Sequence, residues 1–133
     1  MYLLDTNICI YILKKKPIEV FEKFKTLEPC KLKISSITVA ELYYGAYNSQ
    51  KIEENLRRVD NFLKPFDHIE FNKESAIEYA KIKSDLKRRG KIIGELDMQI
   101  AAVAKANNLI LITNNVKEFE RVNGLKVSNW VES

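Results

Sequence analysis

Short apolar runs alternate along this chain with longer stretches of helical periodicity. Residues 2–4 read Tyr-Leu-Leu and residues 109–112 read Leu-Ile-Leu-Ile, the uninterrupted runs expected of strands buried on both faces. Residues 32–35, 69–71 and 125–127 are further strand candidates. Between them the period changes to that of helices. Residues 8–13 predict a short helix broken at Lys14-Lys15-Lys16-Pro17, and 18–27 a second with Val20, Phe21, Phe24 and Leu27 on one face. Another helix runs from Ser36 and Thr38 to about residue 48 with Glu41 in its first turn. The stretch 52–63 is amphipathic on Ile52, Leu56, Val59, Phe62 and Leu63. A long helix over 73–89 would present Ala76, Ile77, Ala80, Ile82 and Leu86 on its apolar face and stop at Gly90. In 96–106 the run Ile100-Ala101-Ala102-Val103-Ala104 predicts a helix lying close on a sheet, with Asp97 in its first turn. A short helix over 117–121 completes the series. Strands alternating with helices imply parallel pairing through right-handed crossovers, hence an α/β helix/sheet/helix sandwich.

Length agrees with that pattern, since 133 residues with 46% hydrophobic and 30% charged side chains suit a single domain spanning 1–133. Cys9 and Cys30 form no metal or redox motif and are expected to be buried free thiols in a reducing compartment. No apolar run is long enough to cross a bilayer, and the N-terminus lacks a signal-peptide pattern, so an intracellular, cytoplasmic protein without membrane contact is expected. The only histidine, His68, falls beside a strand edge. That excludes a two-histidine ribonuclease mechanism and argues against a histidine zinc site or a Ser-His-Asp triad. Any catalysis therefore falls to carboxylates. A net charge of +4 favours polyanionic partners only mildly.

In open parallel sheets, sites form beyond the carboxyl ends of the strands, near the point where strand order reverses. One strand ends at Asp5 and another at Thr113-Asn114-Asn115, while Glu41 and Asp97 begin helices that follow turns. Each has a plainer role open to it: Asp5 as a helix cap, Glu41 closing a Thr38-x-x-Glu41 capping box, Asp97 opposing a helix dipole. Together with Asn115 they are the parts of an all-oxygen cage, which selects Mg²⁺ or Mn²⁺ over zinc.

Four segments, taken in order, make the chain resemble a known family. They are Leu3-Leu4-Asp5-Thr6-Asn7, then Ser35 through Ala46 around Glu41, then Ile93 through Ala102 around Asp97, and Leu111-Ile112-Thr113-Asn114-Asn115-Val116-Lys117-Glu118-Phe119. In this order and spacing the chain resembles the PIN-domain ribonucleases and, within them, the VapC toxins of toxin–antitoxin pairs. The resemblance implies a parallel sheet in strand order 3-2-1-4-5 and metal-holding roles for Asp5, Glu41 and Asp97. Where many relatives carry a fourth Asp this chain has Asn115, which can ligate through its carbonyl or hold a water but adds no charge. Glu118, one helical turn on, can compensate, and Asn7 and Thr113 resemble residues that orient the carboxylates.

The chemistry this fits is metal-dependent hydrolysis of an RNA phosphodiester, with one ion or two. An acidic pocket repels RNA, so cations must surround it. Lys87, Arg88, Arg89 and Lys91 are the candidates, with Lys83 earlier on the same helix, whereas the Lys14–Lys16 run reads as a solvated face. The resemblance further implies a homodimer, a VapB-type antitoxin that blocks the site, and tRNA as substrate, in the anticodon region of an initiator tRNA. The alternative is a catalytically silent PIN-type module that binds RNA or a partner. Phosphoaspartate receivers and haloacid-dehalogenase-type phosphatases fit less well, since Asp5 lacks the second acid each requires.

Overall fold

A computed structural model describes residues 1–131. Five strands, β1 (Tyr2–Leu4), β2 (Leu32–Ser35), β3 (Asp67–Ile69), β4 (Ile110–Ile112) and β5 (Val127–Ser128), form one sheet in the order β3-β2-β1-β4-β5. Every pairing is parallel, with Tyr2 opposite both Leu32 and Ile110, and Leu4 opposite Ile112. The expected order 3-2-1-4-5 is therefore the observed one. The chain winds outward from β1 to β2 and β3, then returns across the sheet to β4 and β5. The order thus reverses at β1, the place where such sheets open a crevice.

Seven helices cover the two faces: α1 (Thr6–Lys14), α2 (Ile18–Lys25), α3 (Ser36–Tyr47), α4 (Ile52–Leu63), α5 (Lys73–Arg88), α6 (Glu95–Ala106) and α7 (Val116–Phe119). Alternation along the strands divides the core in two. Leu3 and Leu111 pack with Ile82, Leu86, Met98 and Phe119 under α5, α6 and α7. Leu4, Leu32, Ile34 and Ile112 pack with Ile8, Ile12, Val20, Leu42 and Val59 under α1 to α4. The run Ile100 to Ala104 is fully buried, so the small side chains let α6 approach the sheet as its composition implied.

Four expectations are corrected. The third strand is Asp67–Ile69 rather than 69–71. Its register sets Lys33 opposite Asp67, where the two side chains form an ion pair at 2.7 Å, while Phe71 has left the strand to meet Tyr79 edge-on. As an edge strand it carries polar residues, which conceals it from a reading based on apolar runs. The last strand lies two residues late, at Val127–Ser128, because Leu125 still closes a turn onto the Val122 carbonyl. On α5 only part of the predicted apolar face is inward: Ile82 and Leu86 are buried, whereas Ala76, Ile77 and Ala80 face solvent. Cys30, finally, is exposed, in the 3-10 turn Pro29–Lys31; Cys9 is buried as expected.

Candidate active site

Strand pairing carries two polar residues to one spot at the crevice. Leu4 and Ile112 are partners across β1 and β4, so the next residues, Asp5 and Thr113, emerge side by side. The Asp5 amide donates to the Ile112 carbonyl at 2.9 Å, and the Thr113 hydroxyl donates to Asp5 Oδ2 at 2.8 Å. Asp5 is also the N-cap of α1, its Oδ1 accepting from the Thr6 amide at 2.8 Å. Capping and site membership are thus compatible. With both oxygens held and only 4% of its surface exposed, the carboxylate is fixed before any ligand arrives. Burial pushes its pKa up, against the two hydrogen bonds that pull it down, and nearby Glu41 adds to the rise.

Glu41 reaches the site from the second turn of α3, not the first. The helix begins at Ser36, and its cap is Ser35, whose Oγ accepts from the Thr38 amide at 3.1 Å. The capping box is therefore not what occupies Glu41, whose Oε1 accepts the hydroxyl of Thr6 at 2.7 Å. Thr6 was missed in the sequence reading, which favoured Asn7 beside it. Asn7 is exposed, while Thr6 is buried and links α1 to α3. The available signal was a pair of hydroxyls, Thr6 and Thr38, at otherwise apolar positions.

Asp97 lies in the first turn of α6, as expected, behind the N-cap Gly94. A Cβ on Gly94 would stand 3.4 Å from Asp97 Oδ2, in van der Waals contact with the carboxylate. Loss of solvent, then the charges of Asp5, Glu118 and Glu41 and a hydrogen bond with Glu118, together lift the Asp97 carboxyl to about 6. Asp97 thus senses all three other acids. None of the four takes part in an ion pair among the described residues. Glu118 is delivered by α7, whose first turn contains it. Asn115 precedes that helix and is held by its own backbone, its amide donating to Thr113 Oγ1 at 2.9 Å. Thr113 therefore ties Asp5 and Asn115 together, as a residue orienting the site would.

Four convergent carboxylates without a counter-cation form a pocket of uncompensated negative charge, and an all-oxygen donor set suits a hard divalent cation. Among the described residues no three acidic side chains already stand as a closed ligand cluster. Because burial and the neighbouring acids raise the Asp97 carboxyl, protons compete with a cation for its oxygens as pH falls.

The surroundings divide by character. A groove of about 400 Å³ between α1, α3 and α4, lined by Ile10, Leu13, Leu42, Val59 and others, opens on Glu41 with Lys14 and Arg58 at its margin. A larger depression of about 650 Å³ lies across α3, α4 and β3, with His68 and Tyr43 in its lining, and reaches none of the four acids. Of the basic residues on α5 and beyond, Lys83 is paired with Glu95 and Arg89 with Asp85 and the Arg121 carbonyl, while Arg88 donates to Ser84. Lys87 and Lys91 are exposed.

The chain is similar to known proteins over nearly its whole length. The sequence matches the PIN domain family over residues 2–125. It is 45% identical over 130 residues to "Ribonuclease VapC2" of Haemophilus influenzae, covering 98% of each chain. To "tRNA(fMet)-specific endonuclease VapC" of Shigella flexneri it is 42% identical over 129 residues, covering 97% of each. Among solved structures, the fold is similar to a chain in the crystal structure of VapBC2 from Rickettsia felis bound to a promoter DNA fragment, with a TM-score of 0.91, 38% identity and 98% of each chain covered.

Proposed function

The chain belongs to the PIN-domain family, among its VapC ribonucleases, and from that premise we propose that it is the toxin of a toxin–antitoxin pair, a Mg²⁺- or Mn²⁺-dependent endoribonuclease that halts translation by cutting tRNA. The observation that carries this reading is that Asp97 lies within the fields of Asp5, Glu41 and Glu118 while none of the four forms an ion pair among the described residues. Asp5, Glu41 and Asp97 would hold the cation, with Glu118 or the Asn115 carbonyl as a further oxygen. When bound, a divalent cation stabilises charge on the phosphoryl oxygens and makes an attacking water more acidic.

The chain's own groups supply the rest. Asp5 is locked by Thr113 and the Thr6 amide, so it presents its oxygens without reorganisation. Asp97, its carboxyl lifted to about 6 by burial and by the neighbouring acids, can take up the proton of the attacking water. Lys87, Arg88, Arg89 and Lys91 would recover backbone affinity, Lys87 and Lys91 as free cations and Arg89 while braced by Asp85. The relative named for tRNA(fMet) supports initiator tRNA as substrate, which would place the protein's action in the cytoplasm.

Structural relatives include DNA-bound VapBC structures and a toxin–antitoxin complex, and the apolar groove that opens on Glu41 suits a VapB-type segment ending at the acids. The outward strip of Ala76, Ile77 and Ala80 on α5 suits a homodimer contact. The deciding experiment is incubation of antitoxin-free protein with total tRNA and Mn²⁺, against EDTA and against Asp5→Asn. Cleavage that needs the metal and Asp5 supports the nuclease. Binding of RNA without cleavage selects the silent module instead.

A further inference from the structure

Three side chains that no role in the reaction has claimed form a continuous line ending on Glu41. Thr38 N donates to Ser35 Oγ at 3.1 Å, Ser35 Oγ donates to Thr38 Oγ1 at 3.4 Å, Thr38 Oγ1 and Thr6 Oγ1 stand 3.0 Å apart, and Thr6 Oγ1 donates to Glu41 Oε1 at 2.7 Å. Ser35 and Thr38 are fully buried and Thr6 is 9% exposed, so water does not complete these bonds.

Each hydroxyl owns one hydrogen, and this fixes the direction of every link. Thr6 spends its hydrogen on Glu41, so between Thr6 and Thr38 the donor must be Thr38. Thr38 then has none left for Ser35, so Ser35 donates to Thr38, in agreement with the geometry of that contact. Ser35 accepts in turn from the Thr38 amide, one of the unpaired donors in the first turn of α3. All hydrogens point the same way, from a helix N-terminus toward the carboxylate. A line running in reverse would leave the Ser35 hydroxyl hydrogen with no acceptor at a fully buried position, a cost such sites avoid. Bonds aligned head to tail in a dry interior polarise one another, so the last donor is strengthened by those behind it.

The line also spans three elements. Thr6 belongs to α1, directly after Asp5; Ser35 ends β2; Thr38 and Glu41 belong to α3. It therefore sets the position of Glu41 relative to Asp5, two carboxylates brought in by different helices. We infer that the Ser35–Thr38–Thr6 hydroxyl line is a positioning device that holds Glu41 as an oriented acceptor beside Asp5 for a divalent cation. The inference rests on the metal-dependent reading of the site, and goes beyond it by assigning the role to Thr6 and Thr38.

The test compares Thr6→Val, which keeps shape and removes the donor, with Thr6→Ser, which restores it, and with Thr38→Val one link further back. Mn²⁺ binding is read by calorimetry without RNA, folding by thermal melting, and cleavage of total tRNA by kcat, KM and the Mn²⁺ concentration for half-activity. Loss of a residue that orients ligands weakens metal binding by about 10–100-fold. Thr6→Val is expected near the lower end of that range, Thr38→Val to weaken binding by less, and Thr6→Ser to return it to within about twofold of wild type. KM for tRNA should stay constant while the Mn²⁺ requirement rises. If Thr6→Val melts early, the comparison of Thr6→Ser with Thr38→Val decides the matter. Wild-type Mn²⁺ affinity in Thr6→Val or in Thr38→Val, or equal loss in Thr6→Val and Thr6→Ser, overturns the inference while leaving the nuclease reading intact. A wild-type protein that neither binds Mn²⁺ nor cleaves RNA overturns both.

Discussion

Replacing Asp97 by Asn should stabilise the metal-free protein at alkaline pH while disabling its site. Burial and the charges of Asp5, Glu118 and Glu41 lift the Asp97 carboxyl from 3.8 to about 6. A shift of roughly two units corresponds to a ceiling of about 3 kcal/mol. Asp97 is only half-buried, and solvent screening reduces this to roughly 1–2 kcal/mol. The sign follows from which state holds the proton more tightly. Because the folded carboxyl has the higher pKa, the folded state is favoured by protonation. That advantage is complete below about pH 4 and is lost as pH rises through 6. At pH 8 the wild type therefore carries a repulsion that Asn, neutral and able to donate to Glu118, does not. The expected gain in melting temperature is about 3–6 °C at pH 8, shrinking toward zero at pH 4. Added Mn²⁺ should reverse the order, since only the protein that binds the ion is stabilised by it. Melting curves at the two pH values, with and without Mn²⁺, check this. A variant that melts below wild type at pH 8 without metal, or gains equally at pH 4, would refute the electrostatic account of the site.

Other outcomes follow from the same geometry. Asn115→Asp adds a charged oxygen beside Thr113 and should tighten Mn²⁺ binding several-fold by calorimetry; unchanged affinity would remove residue 115 from the cation's surroundings. Thr113→Val deletes the hydroxyl that donates to Asp5 and accepts from the Asn115 amide and should lower kcat for tRNA cleavage by about 10–100-fold; normal kcat contradicts its orienting role. Leu111→Ala, at a fully buried position of β4, should cost about 2–5 kcal/mol in urea unfolding. Ile77→Asp on α5 should leave melting unchanged but abolish dimers in light scattering. Persistent dimers would place the contact elsewhere.

How much of this was legible in the sequence depends on what each residue packs against. Strands β1 and β4 are buried on both faces and wrote uninterrupted apolar runs, so their ends, and with them Asp5 and Thr113, could be placed without a structure. The edge strand β3 is polar, and its register, which sets Lys33 opposite Asp67, is a long-range feature that periodicity does not encode. Ala76, Ile77 and Ala80 on α5 fit an apolar face equally well whether it is covered by the same chain or by a second one, so their exposure was not readable. Convergence of Asp5, Glu41 and Asp97 was foreseeable from strand ends and helix starts. Thr6 was not, because its role depends on which of two adjacent polar residues turns inward after the N-cap, and α1 turns Thr6 in and Asn7 out.

The central claim is that Asp5, Glu41 and Asp97 share a divalent cation. Calorimetric titration of the antitoxin-free protein with Mn²⁺ at pH 7.5, alongside Asp5→Asn, tests it most directly. Saturable binding by the wild type that Asp5→Asn loses is the predicted result. Equal binding by both proteins, or none by the wild type, would contradict it.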